Sequence, residues 1–258
     1  MSVRLELGEV SELWLARPDK YNALDLGLAQ AFAEAISAVR AHAATRLLVL
    51  RGEGRAFCSG GDFGMLKANA SAMPEQNQRA MDAFYRRFLG LLSLPCPTLA
   101  VIHGAAVGAG LSIALACDLR IAASEAKLGV NFVRVGLHPG MGTSVLLPHW
   151  VGNTQAASLL LTGRLIRGDE AAAIGLVTRS VPQAELETAV QATITELLAT
   201  APIASRQLTQ TLRAPLLAQL DAALAREAAC QAVDFATEDL QEAVRAFSAS
   251  REPVFRGA

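Results

Sequence analysis

"TLAVIHGAAVGAGLSIALACD", residues 98–118, decides the fold. It opens with a short apolar run that reads as a buried strand. It then passes through a glycine loop and ends in an apolar helix. An earlier stretch, "RLLVLRGEGRAFCSGGD" at 46–62, has the same order of strand and glycine loop. Helical patterns separate the two strands, so the first ~200 residues read as a βαβ series with parallel pairing. The predicted class is α/β.

Outward from this core the pattern stays consistent. "VRLELGEVSELWLAR" alternates apolar and polar residues on either side of Gly8-Glu9, as a hairpin does. "LGLAQAFAEAISAVRAH" has helical spacing, with Asp25 as its N-cap. From Ala184 to Phe247 the sequence is almost all helical, and Pro202 and Pro215 read as its breakers. This shift divides the chain into a core of residues 1–198 and a helical region of 199–258. The alanine- and leucine-rich tail serves as a cap on the core or as a subunit interface.

Composition excludes several classes of function. The 258 residues are 52% hydrophobic and 18% charged, enough for a large core, and no apolar stretch approaches the ~20 residues of a membrane span. A net charge of -1 without a basic block gives no electrostatic case for nucleic acid. Four scattered cysteines form no CxxC pair, and four histidines lack metal-ligand spacing, so no metal site and a reduced, cytoplasmic setting are expected. The N-terminus runs directly into strand-like alternation, and no leader peptide is expected.

A loop between a buried strand and a helix offers N–H groups that the helix leaves unbonded, and the helix dipole favours an anion there. Two converging loops of this kind can form an oxyanion hole. Rival motifs fail on spacing. Gly108-x-Gly110 is followed by Ile113 where a dinucleotide fingerprint needs glycine, no GxxxxGK[ST] occurs, and neither Ser59 nor Ser144 lies in GxSxG. On pattern alone, the glycines serve equally well as tight turns.

A set of motifs in fixed order carries more weight. "RPDKYNAL", "GEGRAFCSGGDF", "IHGAAVGAGLSIALACDLRIA", "VGLHPGMGTSVLLPHWVG", "LLLTGRLIRGDEAAAIGLV" and "FSASREPVFRG" span nearly the whole chain. Together they resemble the enoyl-CoA hydratase/isomerase family, the crotonase superfamily. The resemblance implies a crotonase-like spiral of ββα units with a C-terminal helical region that builds a homotrimer or a dimer of trimers. It implies acyl-CoA thioesters of the kind handled in fatty acid metabolism, with coenzyme A entering as part of the substrate and no permanently bound cofactor.

Carried onto this sequence, the resemblance places the oxyanion hole at the backbone N–H groups of Ser59 and Ala109. Gly60, Gly61 and Asp62 would line the thioester on the first loop, and Gly108 and Gly110 on the second, with Asp62 also tying its turn. Lys20, Ala23 and Leu24 would lie along coenzyme A, with Arg251 and Phe255 approaching the nucleotide. His138 would face the acyl group or fix its turn.

The family's two catalytic glutamates fall on Ser112 and Phe132, and neither is a carboxylate. A serine hydroxyl holds its proton too tightly to replace a carboxylate base near neutral pH. Losing acid–base partners worth roughly 10²–10⁴-fold predicts loss of ordinary hydration. The alternatives are another activity of the fold (isomerase, thioesterase or decarboxylase) or a non-catalytic acyl-CoA binder. A Ser112–His103 pair would suggest hydrolysis, although structural roles account for both residues. Met65, Leu66, Phe84 and Phe88 are candidates for an acyl pocket or for core, and Glu75, Gln76, Asn77 and Asp82 read as a solvated face.

Overall fold

Three successive segments repeat one plan: a long buried strand, a short strand, then helix. The computed structural model describes residues 2–249 and 251–258. The chain opens with β1 (Val3–Glu6) and β2 (Val10–Leu15), a hairpin pairing Val3 with Leu15. Helix α1 (Leu26–Ala41) follows, and the Asp25 side chain caps it by accepting from the Leu28 N–H at 2.8 Å.

The first repeat is β3 (Leu47–Gly52), β4 (Ala56–Cys58), α2 (Phe63–Asn69) and α3 (Pro74–Leu89). The second is β5 (Thr98–Ile102), β6 (Ala105–Val107) and α4 (Ala109–Leu115). The third is β7 (Leu119–Ala123), β8 (Lys127–Gly129) and α5 (Thr143–Thr162). Each repeat gives its first strand to one sheet and its second strand to another. The larger sheet has the order β1-β2-β3-β5-β7-β10, and the smaller β4-β6-β8-β9, where β9 is Ile166–Arg167 and β10 is Arg179–Val181. Pairing between repeats is parallel, as in Val49 with Leu99 and Ala106 with Leu128. This is the spiral of ββα units.

The reason lies in the residues. Every side chain of β3 and β5 is buried, so these strands need cover on both faces, which suits continuous apolar runs. The turn to the second strand follows at once, before any helix can form. Helix α6 (Gly168–Ala173) and helix α7 (Leu186–Leu198) complete the core.

The tail consists of α8 (Pro202–Asp234) and α9 (Glu238–Ser248). Pro202 starts α8, but Pro215 lies within it and does not break it, contrary to the sequence expectation. An interior proline costs roughly 3 kcal/mol. Here that cost is offset by the flank that runs through it, with Leu216, Leu220 and Leu224 buried. Arg213 anchors the same helix. Its guanidinium donates to both oxygens of Asp118, to the carbonyls of Leu92, Leu94 and Cys96, and to the Thr98 hydroxyl. At the far end, Glu227 accepts from the N–H groups of Gly142 and Ser144 and from the Ser144 hydroxyl, which satisfies the start of α5. Burial pushes the Glu227 pKa above its usual range. The tail is thus tied to the sheet at one point and to the third repeat at another.

Candidate active site

The two glycine loops meet where their parent strands β4 and β6 pair. A Cβ on Gly110 would lie 2.3 Å from the carbonyl oxygen of Cys58, so only glycine allows this approach of α4 to β4. Gly60 is also tightly packed on the other side, where a Cβ would lie 2.9 Å from the Val107 oxygen. Behind the first loop stands Asn22. It is fully buried and left-handed at φ 57, and its amide nitrogen lies 2.9 Å from the carbonyls of both Glu53 and Ala56.

The donor on the first loop is not the expected one. The Ser59 N–H donates to the Tyr21 carbonyl at 3.0 Å and is therefore engaged. Leu24 then bridges the two peptides that flank Gly61: its N–H donates to the Gly60 oxygen at 2.7 Å, and its oxygen accepts from the Asp62 N–H at 2.9 Å. The C=O and N–H of a single trans peptide point in opposite directions, and the Gly60 oxygen and Gly61 N–H share one peptide. The Gly61 N–H therefore faces away from Leu24 and has no acceptor among the described residues. On the second loop, Gly108 takes φ 55 and Ala109 begins α4, so the Ala109 N–H is an unbonded donor of a helix first turn. Gly61 and Ala109 both line one cavity of about 590 Å³.

The remaining residues sort clearly around this cavity. Lys20, Ala23, Ser59, Gly60, Asp62, Gly108 and Phe132 line it. Asp62 also caps α2, accepting from the Gly64 N–H at 2.8 Å, and it lies 4.0 Å from Lys20 Nζ. Leu24 and Gly110 sit just behind the wall that they shape.

Ser112 does not line the cavity. It is fully buried, and its hydroxyl donates to the Gly108 carbonyl and pairs with Thr143 Oγ1 at 2.5 Å. His138 is also outside, with its N–H donating to Asp234 at 2.6 Å and its ring turned to the Pro139 carbonyl; it fixes the turn. His103 bonds the Gly54 carbonyl and belongs to a groove with Trp14 and Arg51, so it forms no pair with Ser112. Arg251 pairs with Glu242, and neither it nor Phe255 reaches the cavity.

The apolar lining comes partly from expected residues and partly from distant ones. Met65, Leu66 and Phe84 line the cavity, whereas Phe88 packs in the core 5.1 Å from the Phe32 ring. Asn77 departs from the solvated face: it is buried and donates to the Asn69 carbonyl. Residues not anticipated include Tyr85 on α3, Asn131 and Met141 in the third repeat, and Gln231 and Phe235 on the tail. Phe63 and Phe247 also line the cavity, stacked at 4.1 Å with planes 19° apart. No local pattern marks these positions, because the tail meets the core only through tertiary packing. Asp62 is the one carboxylate among the described lining residues, which include no histidine or cysteine.

A two-sheet ββα spiral with two unbonded backbone N–H groups at the wall of one apolar cavity defines a crotonase-fold protein. The chain belongs to the enoyl-CoA hydratase/isomerase family, whose model matches residues 7–258. It is 34% identical over 253 residues to a putative enoyl-CoA hydratase of Thermus thermophilus, with 98% of this chain and 100% of that protein covered. It is 33% identical over 248 residues to the crotonyl-CoA hydratase of Syntrophomonas wolfei, covering 96% and 94%. Among solved structures, an enoyl-CoA hydratase from Mycobacterium avium subsp. paratuberculosis superposes with a TM-score of 0.87 at 30% identity, covering 99% of both chains. No described helix is long and apolar enough to cross a membrane.

Proposed function

We propose that this protein binds an acyl-CoA and polarises its thioester carbonyl with the N–H groups of Gly61 and Ala109. The observation that carries the reading is that pair of unbonded donors on one cavity. Preorganised donors of this kind stabilise an enolate or a tetrahedral oxyanion, and losing one costs roughly 10²–10³ in rate. The acyl chain lies against Met65, Leu66 and Phe84, with coenzyme A running out past Ala23 and Lys20.

The reaction differs from two-carboxylate hydration. Phe132 contributes shape and dryness, and Ser112 is committed to Thr143. Enolate chemistry of the isomerase or decarboxylase type, or hydrolysis, fits this donor set better. The lack of a free carboxylate or imidazole among the described lining residues favours a second reading, a non-catalytic acyl-CoA binder. We also propose a homotrimer or a dimer of trimers through α8, where Ile203, Leu208 and Leu212 are exposed. The cytoplasm is the proposed setting, where the four free cysteines stay reduced.

The test is a turnover screen over a small acyl-CoA panel read by mass spectrometry, with binding measured in parallel. Saturable binding with no crotonyl-CoA hydration is the expected result, and any isomerised, decarboxylated or hydrolysed product identifies the reaction. Robust crotonyl-CoA hydration would overturn the claim about Ser112 and Phe132. Absence of acyl-CoA binding by the folded protein would overturn the whole reading.

A further inference from the structure

One wall of the cavity carries a buried polar pair that the oxyanion reading leaves unused. The Tyr85 hydroxyl donates to Gln231 Oε1 at 2.5 Å, and Gln231 Nε2 donates to the His138 carbonyl at 2.7 Å. The pair is held from three elements: α3, α8 and the turn before α5. Tyr85 and Gln231 are only 2% and 4% exposed, yet both line the cavity. Residue 140, also on the cavity wall, packs directly against the pair. A Cβ there would lie 2.7 Å from the phenol oxygen and 3.0 Å from Gln231 Nε2, so the glycine leaves the pair its space. Other lining residues are largely apolar, including Phe84, Leu137, Met141 and Phe235.

The free valences of this pair are specific. Gln231 Nε2 has two hydrogens, one of them given to His138, and the phenol oxygen keeps its lone pairs. One donor and one acceptor therefore stand side by side. A plain alkyl chain against them would leave both desolvated and unpaired, which weakens its binding. A keto oxygen would satisfy only the donor. A hydroxyl satisfies both, accepting from the Gln231 amide and donating to the Tyr85 oxygen. A neutral pair is also a poor partner for a carboxylate, which accepts but cannot donate.

We propose that Tyr85 and Gln231 form the specificity determinant of the cavity and select an acyl-CoA that bears a hydroxyl on its acyl chain. This proposal rests on the acyl-CoA reading above. Fixed by three elements, the pair needs no rearrangement to meet its ligand, which favours discrimination over adaptability.

The test is calorimetric binding of butyryl-CoA, 3-hydroxybutyryl-CoA and 4-hydroxybutyryl-CoA to the full-length protein. At least one hydroxyacyl-CoA should bind about tenfold more tightly than butyryl-CoA. Tyr85→Phe should bring that ratio to within about threefold, and Gln231→Met should do the same by removing the donor. Equal affinity for all three ligands in the wild type overturns the proposal, even if the variants do not fold. So does an unchanged ratio in a folded Tyr85→Phe or Gln231→Met variant. If none of the three binds, the acyl-CoA reading falls and takes this one with it; binding without preference overturns the hydroxyl selection alone.

Discussion

Gly110→Ala tests whether the two loops act as one device. The new Cβ would meet the Cys58 carbonyl oxygen at 2.3 Å and the carbonyl carbon and Cβ of the same residue at 2.8 Å. Two of these atoms belong to backbone buried in β4, so no side chain can swing aside. Reaching ordinary contact of roughly 3.4 Å requires α4 and β4 to separate by about 1 Å, and overpacking of this kind costs about 1–3 kcal/mol. The same separation carries the Ala109 N–H away from the Gly61 N–H, since each donor lies within three residues of the clash. A misplacement of about 1 Å costs on the order of 10² in a positioned reaction. The assay pairs urea denaturation with the absorbance of a bound aryl-enoyl-CoA, whose conjugated thioester shifts to longer wavelength when its carbonyl is polarised. The variant should lose stability in that range and lose most of the shift, while retaining affinity from the coenzyme portion. Ala109→Gly, which keeps the donor, should retain the shift. An unchanged shift in a folded Gly110→Ala protein would refute the reasoning.

Three further predictions concern the frame of the site. Arg213→Ala should destabilise the fold by about 3–5 kcal/mol in denaturant titration, because it strands the Asp118 carboxylate and several carbonyls at the foot of α8. His103 has its pKa lowered chiefly by burial, so its contribution to stability is present above about pH 6.5 and is lost as the pH falls through its lower folded value. The fall in melting temperature between pH 7.5 and 5.5 should therefore be smaller in His103→Gln, and an identical slope would count against this. Phe247→Ala removes a stacked ring pair worth about 0.5–1.5 kcal/mol, so amide exchange in α2 should accelerate by up to roughly tenfold without change elsewhere. Uniform acceleration across the chain would mean global rather than local loosening.

Much of this architecture is legible in the sequence, because it follows from local pattern. The hairpin about Gly8-Glu9, the Asp25 cap and the buried runs of β3 and β5 each follow from a few adjacent residues. The glycine loops and their opening into helices are equally local. What is not legible depends on direction. Ser59 and Gly61 lie two residues apart on one loop, and only the Tyr21 carbonyl beside one and the Leu24 bridge beside the other reveal which N–H is free. Ser112 lies at the expected place along the chain, but Thr143 holds it behind the wall. Tyr85 and Gln231 are separated by 146 positions and meet only because Arg213 and Glu227 fix α8 against the core. Pro215 reads as a break because the rule for proline is local, whereas the packing that overrides it is not.

Since the unbonded donors of Gly61 and Ala109 are peptide N–H groups, point substitution cannot delete them without proline or a change of chain path. Proton-handling side chains have no such protection, and a single codon change removes each one. A chain of this design can therefore lose or exchange such side chains while keeping both backbone donors. The constraint falls instead on the glycines that let two loops touch, Gly60 and Gly110.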